Sequence, residues 1–378
     1  MRIGIVTGEF PPMRGGVGAY TALLARHLAA AGQQVFLFSR AGTQAAGLPL
    51  DARVTGWGPG SLRAVARWAS DNRLQVISLQ FQTAAFDMSP WVHFLPGSAG
   101  APVVTTFHDL RFPYLFPKAG PLRPWIVMRL ARASAGVIVT NHEDEAQVRH
   151  LPHAALIPIA SNILAPLPNP FDAAPWRARA GAAPGDFLLG YFGLLNRSKG
   201  LDTLLASLAE LRAGGVPARL VIIGGETGSS DPSNAAYAAE IQALIARLGL
   251  AACVHFTGYL EDETAVSSFL KASDIVALPF RDGVSYRRGS LMAAIRYGCP
   301  IVSTTPRVAI PPFQDGSLLL VPPDDSATLA RALRRCCETP ALLAELRLQA
   351  ENLKRLFEWP QIAADYAGFF ERVLGAQP

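Results

Sequence analysis

Short apolar runs alternate along this chain with stretches whose apolar residues recur every three or four positions. The runs at 2–7, 34–39, 75–80, 102–107 and 136–140 read as buried strands, and a second set follows at 187–192, 218–223, 253–257, 274–278, 300–303 and 318–321. Helical spacing occupies 19–31 in the first half, and 200–213, 234–248, 262–271, 290–297 and 326–337 in the second. A last helix is expected from Trp359 to Leu374, with Pro360 at its start. Strands separated by helices imply parallel sheets covered on both faces, an α/β class. Between the two sets lies Leu164-Ala-Pro-Leu-Pro-Asn-Pro-Phe-Asp-Ala-Ala-Pro175, whose composition reads as a linker between domains. A chain of 378 residues fits two domains of roughly 150 residues each.

Each half opens on a similar unit. The first is Ile3-Gly-Ile-Val-Thr-Gly8, a loop with Gly15, Gly16 and Gly18, then the helix from Ala19. The second is Phe187 to Phe192 ending in Gly193, a tight loop with Arg197 and Lys199, then a helix after Gly200. A strand, a glycine-bounded loop with cations and a helix N-terminus make a site for an anion, most naturally a phosphate. Two such units half a chain apart suggest two nucleotide-fold domains facing each other across a cleft. In open parallel sheets ligands bind beyond the carboxyl ends of the strands, where both loops lie.

Half the residues are hydrophobic and 17% are charged, which favours sizeable cores and argues against disorder. No apolar run reaches the roughly 18 residues of a membrane span. The start, Met1-Arg-Ile-Gly-Ile-Val, has no cleavage pattern, and Cys253, Cys299, Cys336 and Cys337 have no metal-ligand or disulfide spacing, so a cytoplasmic protein is expected. The net charge of +5 is uneven: residues 1–165 hold 14 Lys/Arg against 8 Asp/Glu, a net of +6. That excess suits an anionic membrane surface or an acidic acceptor, whereas no basic and aromatic pattern marks a nucleic-acid module. The segment Arg111-Phe-Pro-Tyr-Leu-Phe-Pro-Lys118, with Arg123, Trp125, Arg129 and Arg132, mixes cations and aromatics and is consistent with peripheral attachment to anionic lipid. Glu143-Asp-Glu145 and Glu261-Asp-Glu263 look like metal-binding acidic pairs but sit where helices begin, so no metal is expected.

Seven fragments in order resemble the retaining GT-B glycosyltransferases of family four: Glu9-Phe-Pro-Pro-Met-Arg-Gly-Gly-Val-Gly18, Thr106-Phe-His-Asp109, Gly193-Leu-Leu-Asn-Arg-Ser-Lys-Gly200, Val221-Ile-Ile-Gly-Gly225, Val254-His-Phe-Thr-Gly-Tyr259, Ala272-Ser-Asp-Ile-Val-Ala-Leu-Pro279 and Gly298-Cys-Pro-Ile-Val302. The resemblance implies a GT-B fold, two Rossmann-like doubly wound domains. Residues 1–168 would form the acceptor side, with 359–378 packing back on it, and 180–358 the donor side. The chain departs from the family at Leu194, where an arginine is usual, and at Ser285 and Ala293, where two glutamates normally hold the donor sugar and ribose.

The resemblance assigns Lys199 to the donor diphosphate, and Arg197 is inferred as the substitute for the cation absent at Leu194. It puts His108 beside the donor sugar, in contact with a hydroxyl, and the Gly15–Gly16 loop near the diphosphate and acceptor. Gly224, Gly225, Glu226 and Tyr259 would surround the nucleotide. Ser285, Arg288, Gly289 and Ser290 precede a helix; Ser290 is a plausible N-cap, and Arg288 suits phosphate or a carboxylated sugar. Asp282 is the nearest carboxylate to stand in for a missing glutamate. The implied reaction moves a sugar from a nucleotide-diphosphate-sugar, a co-substrate, to a hydroxyl on a sugar, lipid-linked or small-molecule acceptor, in polysaccharide, glycolipid or other glycoconjugate synthesis. The leaving phosphate would take the acceptor proton. Two rivals remain at this point: a GT-B nucleotide-sugar epimerase, for which no carboxylate pair is evident, and a non-catalytic GT-B binding module, which the replaced glutamates would allow.

Overall fold

A computed structural model describes residues 1–13, 15–110, 122–225, 232–314 and 316–376. The chain divides into two compact units: Met1–Asn162 with Phe357–Pro378, and Ile163–Leu356.

The first unit is built on seven parallel strands: β1 (Arg2–Thr7), β2 (Gln34–Arg40), β3 (Leu50–Val54), β4 (Val76–Phe81), β5 (Val103–Phe107), β6 (Gly136–Val139) and β7 (Ala154–Leu156), in the order β3-β2-β1-β4-β5-β6-β7. β1, β4 and β5 are buried almost throughout because both faces are covered, as expected for inner strands of a parallel sheet. The order reverses between β1 and β4, which opens a crevice beyond their carboxyl ends. Strands β3 and β7 go beyond the sequence expectation. Both are edge strands with half-exposed positions, so neither has an uninterrupted apolar run.

The final helix, Trp359–Gly375, belongs to this unit and buries Trp359, Ile362, Tyr366, Phe369, Phe370 and Val373, a stripe at three- and four-residue spacing. Tyr366 Oη meets Tyr20 Oη and Thr106 Oγ1, each at 3.2 Å, and the Trp359 indole donates to the Ser161 carbonyl at 2.8 Å.

The second unit holds six parallel strands: β8 (Phe187–Gly193), β9 (Ala218–Gly224), β10 (Val254–Phe256), β11 (Ile275–Leu278), β12 (Ile301–Thr304) and β13 (Leu319–Val321), in the order β10-β9-β8-β11-β12-β13. Its reversal lies between β8 and β11. Helix Leu201–Ala213 packs Leu201, Leu204, Leu205, Leu208 and Leu211 into the core beneath.

The stretch expected as a linker is part of this unit. Tyr297 Oη donates to the carbonyls of Ile163 and Ala165 at 3.2 and 2.9 Å, and a short helix, Ala174–Arg179, sets Trp176 edge-on to Phe269 while Arg177 pairs with Asp274 at 2.9 Å. The boundary therefore falls at 162/163. Proline-rich composition here marks chain pinned without long regular elements.

Candidate functional site

In the second unit the loops leaving β8, β9 and β10 are tied together by their backbones. Gly225 N donates to the Gly193 carbonyl at 3.1 Å, Gly224 N donates to Thr257 Oγ1 at 3.0 Å, and Gly224 bridges Gly258. The β11 loop joins them through Arg281 N, which donates to the Ser198 carbonyl at 2.9 Å. Gly193, Lys199, Gly224, Gly225 and the 281–290 loop thus share one end of the sheet, beside its reversal point.

Lys199 closes a single 3-10 turn, Arg197–Lys199, whose start is capped by Asn196 accepting from Ser198 N at 2.8 Å. Its ammonium lies back over Gly193: a Cβ on that glycine would fall 2.1 Å from Lys199 Nζ. Gly193 also has φ of 129°, a backbone state open to glycine. Burial, and next the positive charge of Arg288, lower the Lys199 pKa from its usual 10.5 to about 8. An ammonium destabilised in this way gains most from an arriving anion.

Arg197 does not join this cluster as expected. Its guanidinium pairs with Glu240 and lies over the Tyr237 ring, 5.1 Å from the centroid, with 54% of the side chain exposed. The cation whose field reaches Lys199 is Arg288. Leu194, in the family's arginine position, is 46% exposed.

Arg288 and Arg287 both engage Asp282, the second at 2.8 Å, and Arg288 stacks on Phe280 at 4.6 Å. Asp282 therefore anchors two guanidinium groups, one on each carboxylate oxygen. The next helix runs from Gly289 to Arg296 with Arg288 at the N-cap and no side-chain cap. Ser290, expected as the cap, lies inside the first turn and is buried. Ser285 is also buried, and its hydroxyl has no hydrogen-bond partner among the described residues. Tyr259 is 44% exposed, at the rim. Glu226 lies outside the described residues, as does the cationic segment 111–118.

In the first unit, the loop after β1 brings Glu9 back to the helix Gly16–Ala30. Glu9 Oε1 accepts from Gly18 N at 2.8 Å, and a Cβ on Gly15 would lie 2.1 Å from the same oxygen. The protein's own carboxylate thus occupies part of the helix N-terminus that the sequence offered to a ligand phosphate, while Gly16 has open space around it. Glu9 was legible only as part of a motif.

His108 follows β5. Its backbone N donates to the Phe81 carbonyl at 3.2 Å, its Nε2 lies 2.9 Å from Gln80 Oε1, and its ring stands edge-on to Tyr20 at 5.1 Å. Burial lowers its pKa from 6.5 to about 4, so the ring is neutral at physiological pH. Sequence reasoning missed Gln80, although an amide in the run Val76-Ile-Ser-Leu-Gln-Phe81 was the available signal. The acidic triplets take the positions expected. Glu143, Asp144 and Glu145 form the first turn of His142–Val148, and Asp262 caps Glu263–Ala272. Among the described residues no group of three or more His, Cys, Asp or Glu is arranged to hold a metal ion.

Residues 15–157 match the family model for the glycosyl transferase 4-like domain, and residues 186–339 match that for glycosyl transferases group 1. A phosphatidyl-myo-inositol mannosyltransferase of Mycolicibacterium smegmatis is 26% identical across 100% of this chain and 95% of its own. A D-inositol 3-phosphate glycosyltransferase of Rhodococcus erythropolis is 29% identical over 61% of this chain, and the match spans about half (52%) of that relative's length. Among solved structures, Anabaena HepE in complex with UDP superposes with a TM-score of 0.77 at 18% identity, covering 98% of this chain and 100% of that one. Sucrose-phosphate synthase from Thermosynechococcus elongatus gives 0.75 at 22% identity, covering all of both chains. At such identities these two speak for the fold alone. Two parallel-sheet units, each matched in its turn by one half of the family, lead to one conclusion: the chain belongs to the family-four-like glycosyltransferases of GT-B fold, and its class of activity is glycosyl transfer.

Proposed function

We propose that this protein transfers a sugar from a nucleotide-diphosphate-sugar to a hydroxyl of a sugar or lipid-linked acceptor, with retention at the anomeric carbon. The observation that carries the donor half is the Lys199 ammonium lodged over Gly193 at the end of β8. As the glycosidic bond breaks, negative charge grows on the leaving diphosphate, and a cation fixed there stabilises that state more than the ground state. Arg288 is the second cation of the proposal, replacing Arg197 in that role. His108 contacts a sugar hydroxyl, and the leaving phosphate receives the acceptor proton, so no side-chain base is required.

The names of the relatives, which cite phosphatidyl-myo-inositol and D-inositol 3-phosphate, and the HepE complexes with UDP and UDP-glucose support a nucleotide-sugar donor with a polar or lipid-linked acceptor. We hold the reaction to be metal-independent and the protein to work in the cytoplasm, at the surface of a membrane. In support of the last point, Trp91, Phe94 and Trp125 are exposed in the first unit, and Arg129 lies over the Phe94 ring at 4.8 Å.

The test is a thermal-shift panel of nucleoside diphosphates and nucleotide sugars with chelator present. A ligand at 100 times its dissociation constant stabilises the native state by about 2.7 kcal/mol. A selective shift that Lys199→Ala abolishes is expected, together with turnover lowered on the order of 10²–10³-fold, as for loss of one charge-stabilising group. Near-normal turnover in that variant would remove Lys199 from the donor site, and rescue only by Mg²⁺ or Mn²⁺ would end metal independence.

A further inference from the structure

Gln80 lies on β4, where all six side chains are buried, and it is itself wholly inaccessible. An amide in that setting needs a partner for each hydrogen and for its oxygen. Its nitrogen donates to Ser78 Oγ at 2.8 Å and to Thr106 Oγ1 at 3.3 Å, and it also faces the Tyr366 hydroxyl, so both hydrogens point at hydroxyl oxygens. Its oxygen faces His108 Nε2 at 2.9 Å. Turning the amide over would spend one N–H on the imidazole and take the other away from the two hydroxyls. The observed orientation is therefore the satisfied one, and it requires the histidine nitrogen to donate.

The arrangement is braced from behind. Thr106 Oγ1 meets Tyr366 Oη at 3.2 Å, and Tyr20 Oη donates to Tyr366 Oη at 3.2 Å. Tyr20 also closes the edge of the imidazole. Two strands, β4 and β5, the helix Gly16–Ala30 and the terminal helix thus converge on the orientation of one amide.

We infer that Gln80 is a positioning residue, holding His108 as the Nε2–H tautomer and so presenting Nδ1 as a lone-pair acceptor for a hydroxyl of the ligand. A neutral imidazole has one donor and one acceptor nitrogen, and the hydrogen bond made by one decides the role of the other. No hydrogen bond engages Nδ1 among the described residues. Its preferred partner is therefore an O–H group, the commonest donor on a sugar, and not an anionic oxygen, which would be repelled by the lone pair. The role of Nδ1 rests on the glycosyl-transfer reading; the tautomer does not, so the two fail separately.

The experiment is a long-range ¹H–¹⁵N correlation on the full chain labelled at histidine, assigned with His108→Gln. The wild-type ring is expected to show the Nε2–H pattern at neutral pH, and an Nδ1–H pattern overturns the inference even if Gln80 variants do not fold. Gln80→Leu, which removes the acceptor at similar volume, is expected to give mixed tautomers and kcat/KM lower by about 10- to 100-fold, the range found when the partner orienting a functional histidine is removed from a metal site. A wild-type tautomer in that variant overturns the role of Gln80. Saturating nucleotide sugar should move the Nδ1 resonance of the wild type; a thermal shift without that movement overturns the acceptor role, while absence of any binding counts against the glycosyl-transfer reading and leaves the tautomer standing.

Discussion

Lys199 reaches its place because Gly193 has no side chain, and the closeness that makes glycine necessary there also strips water from the ammonium. Its pKa near 8 has a consequence for binding. Below pH 8 the free protein already carries the charge, and affinity for a nucleotide sugar should be flat. Above it, binding must take up a proton, because the diphosphate favours the ammonium and raises its pKa in the complex. The dissociation constant should then rise by up to about tenfold per pH unit, the limit for one linked proton. Titration of a nucleotide sugar between about pH 6.5 and 9 checks this, since the diphosphate diester has no ionisation in that range and a uracil or guanine base stays largely neutral up to about pH 9. Lys199→Arg should give a flat profile at whatever affinity it retains, because a guanidinium does not deprotonate. A flat wild-type profile would mean that the ligand does not meet Lys199. At this scale the sequence was an uneven guide. Spacing after a strand marked Lys199 and His108, and both lie just past strand ends, but the partners of the long arginine side chains were not legible, since they are set by the folded neighbourhood: Glu240 and Tyr237 for Arg197, Asp282 and Phe280 for Arg288.

Elements followed the apolar pattern wherever they are buried on both faces. Inner strands such as β4 and β8, and helices with a full apolar stripe such as Leu201–Ala213, fall within a residue or two of the periodicity. The misses include elements with little to bury, the edge strands β3 and β7 and the helix Pro340–Lys354, of which only Leu346, Ala350 and Leu353 are buried, and also the helix Pro59–Asp71, whose core residues Val65, Trp68 and Ala69 are interspersed with Arg63, Arg67 and glycine. The terminal helix is the element whose docking matters most to the site, because Tyr366 braces the amide behind His108. That docking is close at Gly136 of β6, where an added Cβ would lie 2.8 Å from Val373 Cγ2 and 2.9 Å from Phe369 Cε1. Gly136→Val should therefore destabilise by about 1–3 kcal/mol, the usual cost of overpacking a core. Equilibrium denaturation measures it, and trimming the opposing ring with Phe369→Leu in the same chain should recover part of the loss. Full stability in Gly136→Val would mean that the helix does not pack on β6 as described.

Across the molecule, charge and exposed aromatic area concentrate in the same half of the chain. Residues 1–165 carry a net of +6 against −1 for the remainder, and Trp125, at 60% exposure, is the most exposed aromatic side chain of the described residues. Trp125 and Arg129 are four residues apart on the helix Leu122–Ala133 and so share a face, and Arg129 in turn covers Phe94, whose ring lies 6.0 Å from that of Trp91. Aromatic rings flanked by guanidinium groups suit the boundary between headgroups and acyl chains: the rings enter the interface while the cations stay with anionic lipid. No helix of the described residues is long and apolar enough to cross a bilayer. Each basic residue near an anionic surface contributes about 1 kcal/mol, and the attraction decays over roughly 8–10 Å at physiological salt. Flotation with phosphatidylcholine vesicles should therefore leave the protein at the bottom of the gradient, while vesicles with a substantial anionic fraction should carry it up, and raised salt should release it. Trp125→Ala with Arg129→Glu should abolish flotation and leave transfer to a water-soluble acceptor intact, since neither side chain has a part in holding donor or sugar in the proposal. Equal recovery on neutral and anionic vesicles would reject the electrostatic half of the argument, and flotation undiminished in the double variant would move the contact to another face.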